Sequence, residues 1–486
     1  MSYPWTPQQE DLYKAILDPT NTLIKVGAVA GASKTSSMVE AARRVKALHP
    51  SKTIRYLVFG SLNSQEAKLA FAHNAICSTL HSLAYHAVIK PYGLKTPIKA
   101  FIGWRDIPKT LNIPYHSVQA ATDIVYEYCD SPSLEFETFA LTTDYKATDL
   151  AYAKSLLAAM YAGELNTTHS FYLKLYHLGI MSGDIVPVTE DILIIDEASD
   201  LTQITLDIFD RYPARQKIIV GDRAQMIFGF MGCVSAFDAY KGQGISLPLT
   251  KSFRCTTQLA ERIQDFCNST FSPSMVFEGM DYPSDIVPVT EVYLARTNAD
   301  LITKMIELNN SSTPYNLSTK SKVKQMFKYP MFLVGAKPGA KQFDADLKTL
   351  QRDLDTWELI RIKDPSFTMS KTAYLVSHNK DNPAVASASA LLARFGPKDL
   401  IDAYHSAEEH KHSSSNLTLC TIHVSKGGTW DIVTLDNSVD KAIEETMKMF
   451  KLKPNYIPDE DEITSLRLHY VACSRARFKI NNSRYL

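Results

Sequence analysis

No net charge, no long apolar run, no repeat and no low-complexity tract mark this sequence. Its 52 basic residues balance 52 acidic ones, so no global field recruits a polyanion, and a nucleic acid would have to be held by local features. No apolar run is long enough to span a membrane and no secretory leader is recognisable, so an intracellular, cytoplasmic protein is expected. Cysteine is scarce, at positions 77, 129, 233, 255, 267, 420 and 473, without a Cys-x-x-Cys pair or a His/Cys grouping of metal spacing. Reduced core thiols are therefore expected, and neither zinc nor an iron–sulfur cluster is. The 13 histidines offer no catalytic triad.

What is present is a chain of 486 residues with 45% hydrophobic content, enough for roughly two to four domains with sizeable cores. The segment Ala28-Val-Ala-Gly31-Ala32-Ser33-Lys34-Thr35-Ser36 follows an apolar run, Leu23 to Val26, and precedes a helical stretch. A phosphate-binding loop needs that order: small residues let backbone N–H groups turn onto phosphate oxygens at a helix N-terminus. Lys34 would reach the terminal phosphates and the Thr35 hydroxyl would ligate Mg2+. Small-residue turns between strand and helix are also common in any α/β protein, and Ala28 and Ser33 stand where the usual pattern has glycine.

A second segment narrows the choice. Asp191-Ile-Leu-Ile-Ile-Asp196-Glu197 is a buried strand that ends in two acids, the second half of an ATPase site. Asp196 would hold the hydrated magnesium and Glu197 would orient and deprotonate the attacking water. A third strand, Gln216 to Val220, runs into Gly221-Asp222-Arg-Ala-Gln225 and the spaced aromatics Phe228 and Phe230, whose faces could stack on unpaired bases or fill a core. Lys90, Lys95, Lys99, Arg105 and Lys109, and separately Lys320, Lys322, Lys324 and Lys328, form basic clusters that would grip phosphates or simply be solvated.

The order and spacing of these segments resemble a superfamily 1 helicase of the UvrD/Rep/PcrA type over nearly the whole chain. Trp5-Thr-Pro-Gln-Gln9 resembles the glutamine motif, which implies that Gln9 reads adenine. Leu57 to Asn63 and Thr79 to Tyr85 resemble the first DNA-contacting motifs. Gly221 to Gly232 resembles the third motif, with Gln225 as γ-phosphate sensor. Leu249 to Arg254 and Leu294 to Ala299 resemble the fourth, making Arg296 an arginine finger. Thr421 to Asp431 and Leu468 to Arg477 resemble the fifth and sixth, with Arg475 as a second finger. Within the family, Thr168-His169-Ser-Phe-Tyr-Leu-Lys174 and Ser-Lys426-Gly-Gly-Thr-Trp430-Asp431 are nearest the F-box DNA helicase branch, without the F-box itself.

The resemblance implies an α/β fold of two RecA-like P-loop domains, each carrying a mainly helical insertion. The first would comprise residues 1–85 and 165–248 with an insertion at 86–164, and the second 249–309 and 416–486 with an insertion at 310–415. It implies ATP and Mg2+ as cofactors and 3′ to 5′ movement on single-stranded DNA, with unwinding at junctions driven by hydrolysis between the two lobes. DNA contacts would come from Phe59, Asn63, Thr79, His81, Phe228, Phe230, His423 and Lys426. A monomeric or weakly associating enzyme with replication or repair partners, in a nucleoid or viral replication context, is the corresponding expectation. Three readings stay open: a helicase or translocase, a protein-displacing remodeller with little unwinding, and an inactive DNA-binding scaffold.

Several positions depart from the family pattern. Ser199 replaces a glutamine, Gly428 and Thr429 replace Leu-Glu, and Ala295 stands where some relatives stack a tyrosine on adenine, which implies weaker sugar and base contacts. Ser33 fits an active loop only if its backbone does not need positive φ. Within 310–415, Leu347, Leu350, Leu354 and Trp357 recur at helical spacing and predict an amphipathic helix.

Overall fold

The computed structural model describes residues 4–486 apart from 59, 101, 103–105, 115–116, 230–231, 284, 336–344, 365, 380–381 and 454. The chain divides into two compact units, Met1–Lys251 and Ser252–Leu486.

The first unit is built on strands β1 (Leu23–Ala28), β2 (Ile54–Leu57), β3 (Ile76–Ser78), β4 (Glu190–Ile195), β6 (Ala214–Gly221) and β8 (Ile245–Leu249), in the order β3-β2-β4-β6-β1-β8. Short β5 (Leu201–Thr202) and β7 (Cys233–Val234) pair antiparallel beside it. All neighbours in the six-stranded sheet run parallel, which requires crossover helices and buries both faces. Hence β1 and β4 read as near-continuous apolar runs, with Ile24, Val26, Leu193 and Ile194 at 2% exposure or less. Lys25 breaks the β1 run without penalty, because its ammonium donates to Tyr240 O at 2.9 Å. The strand order places β4, β6 and β1 side by side, so the turns leaving their C-terminal ends lie together.

Between β3 and β4 the chain is helical, including Val118–Asp130, Ala147–Tyr161 and His169–Ser182. These helices share one apolar core through Ile124, Val125, Leu156, Met160 and Phe171. His169–Ser182, expected in the sheet-bearing domain, thus contributes to the same core as the 86–164 insertion. Lys174 is buried there, its ammonium donating to Ser131 O and Ser133 O over the Tyr128 ring, and burial pushes it down to about 8.

The second unit carries a two-stranded pair, β9 (Lys251–Thr256) with β10 (Glu278–Met280), and a parallel sheet of β11 (Glu291–Ala295), β12 (Asn316–Leu317), β13 (Leu417–Thr421), β14 (Trp430–Leu435) and β15 (Ala476–Asn481), ordered β12-β13-β11-β14-β15. β12 lies inside the 310–415 segment expected to be an insertion, yet it is the sheet's edge strand, in register with β13 through Leu317 and Leu419. The helix predicted from the leucine spacing spans Ala345–Lys363, with Leu350 and Leu354 buried against Leu375 and Val385. Both units are therefore mixed α/β with parallel sheets flanked by helices. Among the described residues no helix is long and apolar enough to cross a membrane.

Candidate nucleotide site and nucleic-acid interface

The loop after β1 makes its turn with Gly31 at φ +77° and Ser33 at φ +55°. The condition under which Ser33 fits the loop without strain is therefore not met: the serine is left-handed, where its Cβ crowds the following carbonyl at a cost of about 1–2 kcal/mol. Tight reversal into the helix Lys34–Leu48 demands that conformation, as the last residue before the helix must swing the amides inward. The serine side chain does not cap the helix, so the first-turn amides of Lys34, Thr35 and Ser36 have no side-chain cap from it. Ala28 and Ala32 are buried at 4% and 2%, leaving no side chain to obstruct a phosphate, while Thr35 and Ser36 are exposed.

Asp196 follows β4 and is buried. Its Oδ1 accepts from Glu197 N–H at 2.9 Å and its Oδ2 from the Tyr56 hydroxyl at 2.5 Å. Burial and the neighbouring Glu197 charge push the Asp196 carboxyl above the usual range, and the Lys34 ammonium opposes them. Glu197 itself stands at φ +55°, a second non-glycine residue in a left-handed conformation on this face. β6 delivers Asp222 and Gln225, both buried, with the Gln225 amide donating to Asp222 Oδ2 at 2.7 Å. β6 is tied to the acidic turn by Ala198 N–H donating to Val220 O at 2.9 Å.

Lys34, Thr35, Asp196, Glu197 and Gln225 thus stand on the three adjacent turns of one sheet. A helix N-terminus without a side-chain cap, a nearby lysine, and hydroxyl and carboxylate oxygens on neighbouring turns match the donor set of a magnesium–nucleotide complex. Gln9 is 2% exposed, and both ends of its amide are engaged: Oε1 accepts from Thr6 N–H at 2.9 Å and Nε2 donates to Ser37 Oγ at 2.9 Å. It caps its own helix, Pro7–Leu17, and ties it to the phosphate-loop helix.

The expected DNA contacts divide. Phe59 and Phe230 lie outside the described residues. Asn63 is exposed in the first turn of Ser61–Phe71. Thr79 caps Leu80–Val88 by accepting from Ser82 N–H at 3.1 Å, which fixes the helix that presents His81. His81 is exposed beside His169 and Tyr172, with ring centroids at 6.3 and 6.0 Å. Phe228 is half-buried, its backbone N–H donating to Asp200. In the basic cluster of the first unit, Lys95 donates to Glu164 O and Lys99 pairs with Asp106, while Arg105 lies outside the described residues.

In the second unit His423 and Lys426 are half-buried, and burial together with the charges of Arg296 and Lys426 holds the His423 imidazole below its ordinary value. Arg296 is exposed, its Nη2 3.4 Å from Ser465 Oγ, and its charge is one of those acting on the His423 imidazole. Arg475 is 1% exposed, with Nε donating to Val471 O at 2.9 Å. Beside it lies Arg254, whose Nη1 donates to Ser474 O at 2.8 Å. The motif reading gave Arg254 no role. Its neighbour in space is 221 positions away in sequence, and only the fold reveals the pairing. Asp431 of the fifth motif is structural, accepting from Val289 N–H, Thr290 N–H and the Thr290 hydroxyl.

Comparison with known proteins follows the same division. A family model described as an AAA domain matches residues 9–231, most of the first unit. F-box DNA helicase protein 1 of Schizosaccharomyces pombe is 24% identical over 542 residues, covering 98% of this chain and 57% of that protein. F-box DNA helicase 1 of Gallus gallus is 26% identical over 291 residues, covering 52% of this chain and 27% of that protein. The chain therefore spans about half the length of the first of these relatives and less of the second.

Proposed function

We propose that this chain, similar to superfamily 1 DNA helicases and nearest the F-box DNA helicase branch, is an ATP-driven motor that moves 3′ to 5′ on single-stranded DNA and opens duplex at junctions. The observation that carries the proposal is the convergence of Lys34, Thr35, Asp196, Glu197 and Gln225 on the turns after β1, β4 and β6.

In this reading the amides at the start of Lys34–Leu48 and the Lys34 ammonium bind the phosphates. Thr35 and Asp196 would hold Mg2+, which would supply positive charge against the phosphates. Glu197 orients the attacking water and takes its proton. Asp222 fixes the Gln225 amide, so the γ-phosphate sensor is pre-aimed. Arg475 and Arg296 contribute positive charge to the transition state, and Arg254, bonded to the carbonyl next to Arg475, is a further candidate for that role. His423 and Lys426, and His81 and Asn63, contact the strand; replication or repair proteins are the natural partners.

The strained Ser33 favours one second reading, an inactive DNA-binding scaffold. ATP hydrolysis with and without single-stranded DNA separates the two, using the full chain, Lys34→Ala and Glu197→Gln. DNA-stimulated turnover that both variants lose supports the motor. Absent turnover in a folded, DNA-binding protein overturns it in favour of the scaffold.

A further inference from the structure

Tyr56 belongs to none of the motifs on the nucleotide face, yet it is the side chain through which that face is joined beneath the surface. It lies in β2, where the register pairs it with Ile194 and pairs Leu57 with Ile195, so its strand runs alongside the approach to Asp196. The side chain is 1% exposed and its ring packs on Phe71 with centroids 4.5 Å apart. A buried phenol needs a partner for its hydroxyl, and here that partner is functional. It donates to Asp196 Oδ2 at 2.5 Å.

We infer that Tyr56 is a positioning residue for the divalent cation, its phenol fixing the carboxylate of the protein ligand Asp196 from beneath. The inference rests on reading this face as a magnesium–nucleotide site. Magnesium demands near-ideal octahedral geometry at about 2.0–2.1 Å, and a carboxylate free to rotate about its last bond cannot offer it reliably. With Oδ1 held by Glu197 N–H and Oδ2 by Tyr56, the Asp196 plane is fixed and its remaining lone pairs have set directions. A phenylalanine would keep the contact with Phe71 and remove only this restraint.

The test is a MgCl2 titration of binding of a fluorescent, non-hydrolysable ATP analogue to the full chain, to Tyr56→Phe and to Phe71→Leu, each with a thermal melt. Tyr56→Phe is expected to raise the Mg2+ half-saturation about tenfold while leaving analogue affinity in EDTA unchanged. Phe71→Leu, which loosens the ring without removing the hydroxyl, is expected to lower the melting temperature with the half-saturation within about twofold of the parent. A Tyr56→Phe half-saturation within about twofold of the parent, or an equal rise in Phe71→Leu, would overturn the positioning role while the site reading stands. Magnesium-independent analogue binding by the parent chain would overturn the site reading and the inference together.

Discussion

Gly221, at the end of β6, comes so close to the acidic turn that a Cβ on it would lie 3.1 Å from the amide nitrogen of Ala198 and 3.2 Å from that of Ser199. The third near atom is on the Phe237 ring at 3.1 Å, but the two amide nitrogens are backbone, so a rotamer change alone cannot relieve the contact. Gly221→Ala should therefore push the Asp196–Glu197 turn away from β6, at a cost of about 1–3 kcal/mol. The expected result is a lower melting temperature and roughly tenfold slower ATP turnover with little change in half-saturation by ATP. A variant with the parent's melt and turnover would show that the turn absorbs the methyl group.

Ser33 gives the opposite sign. At φ +55° a serine is strained and a glycine is not, so Ser33→Gly should stabilise the first unit by about 0.5–1 kcal/mol, or roughly 1–4 °C in its melt. Ser33→Val should destabilise and weaken nucleotide binding, because a β-branched residue tolerates this conformation least. If the glycine variant melts at or below the parent, the left-handed serine is not costly and its strain cannot limit the site.

The phosphate loop and the acidic pair were legible because each is a contiguous string whose strand, turn and helix follow from local chemistry. The helix Ala345–Lys363 was legible for a similar reason, its leucines recurring at helical spacing. Backbone sign at Ser33 was not, since serine is not restricted to either basin by its own side chain. Tyr56 and Arg254 were hidden for another reason: each acquires its meaning from a partner more than a hundred positions away, Asp196 and Ser474. Gln9 was recognised as a motif residue, but a pattern cannot show that its amide is also bonded to Thr6 and Ser37.

The three arginines of the second unit should share one phenotype. Arg475→Ala, Arg296→Ala and Arg254→Ala should each lower ATP turnover by about 10³-fold while nucleotide affinity changes little. Unchanged turnover in Arg254→Ala would confine the finger role to Arg475 and Arg296, and the same result in either of those would remove that residue from it.

Glu40 sets the pH dependence of the phosphate-loop helix. Its carboxylate accepts two bonds from Arg43 at 2.7 Å and one from Arg44 at 2.8 Å, while Arg44 forks onto Glu10 of Pro7–Leu17 and lies 4.2 Å from the Tyr13 ring centroid. The Arg43 bonds first, then Arg44, hold Glu40 down at about 2 against an ordinary value of 4.5, with burial opposing them. A carboxyl depressed in the folded state contributes stability that is complete above 4.5 and is lost as pH falls from 4.5 toward about 2. The network is partly solvated, so screening reduces the contribution to about 1 kcal/mol. Glu40→Gln should therefore lower the urea midpoint at pH 7, and the difference from the parent should shrink between pH 4.5 and 2 and vanish near pH 2. A difference that stays constant across that window would mean that shape, and not charge, joins the two helices, and that acid loosens the nucleotide face by some other group.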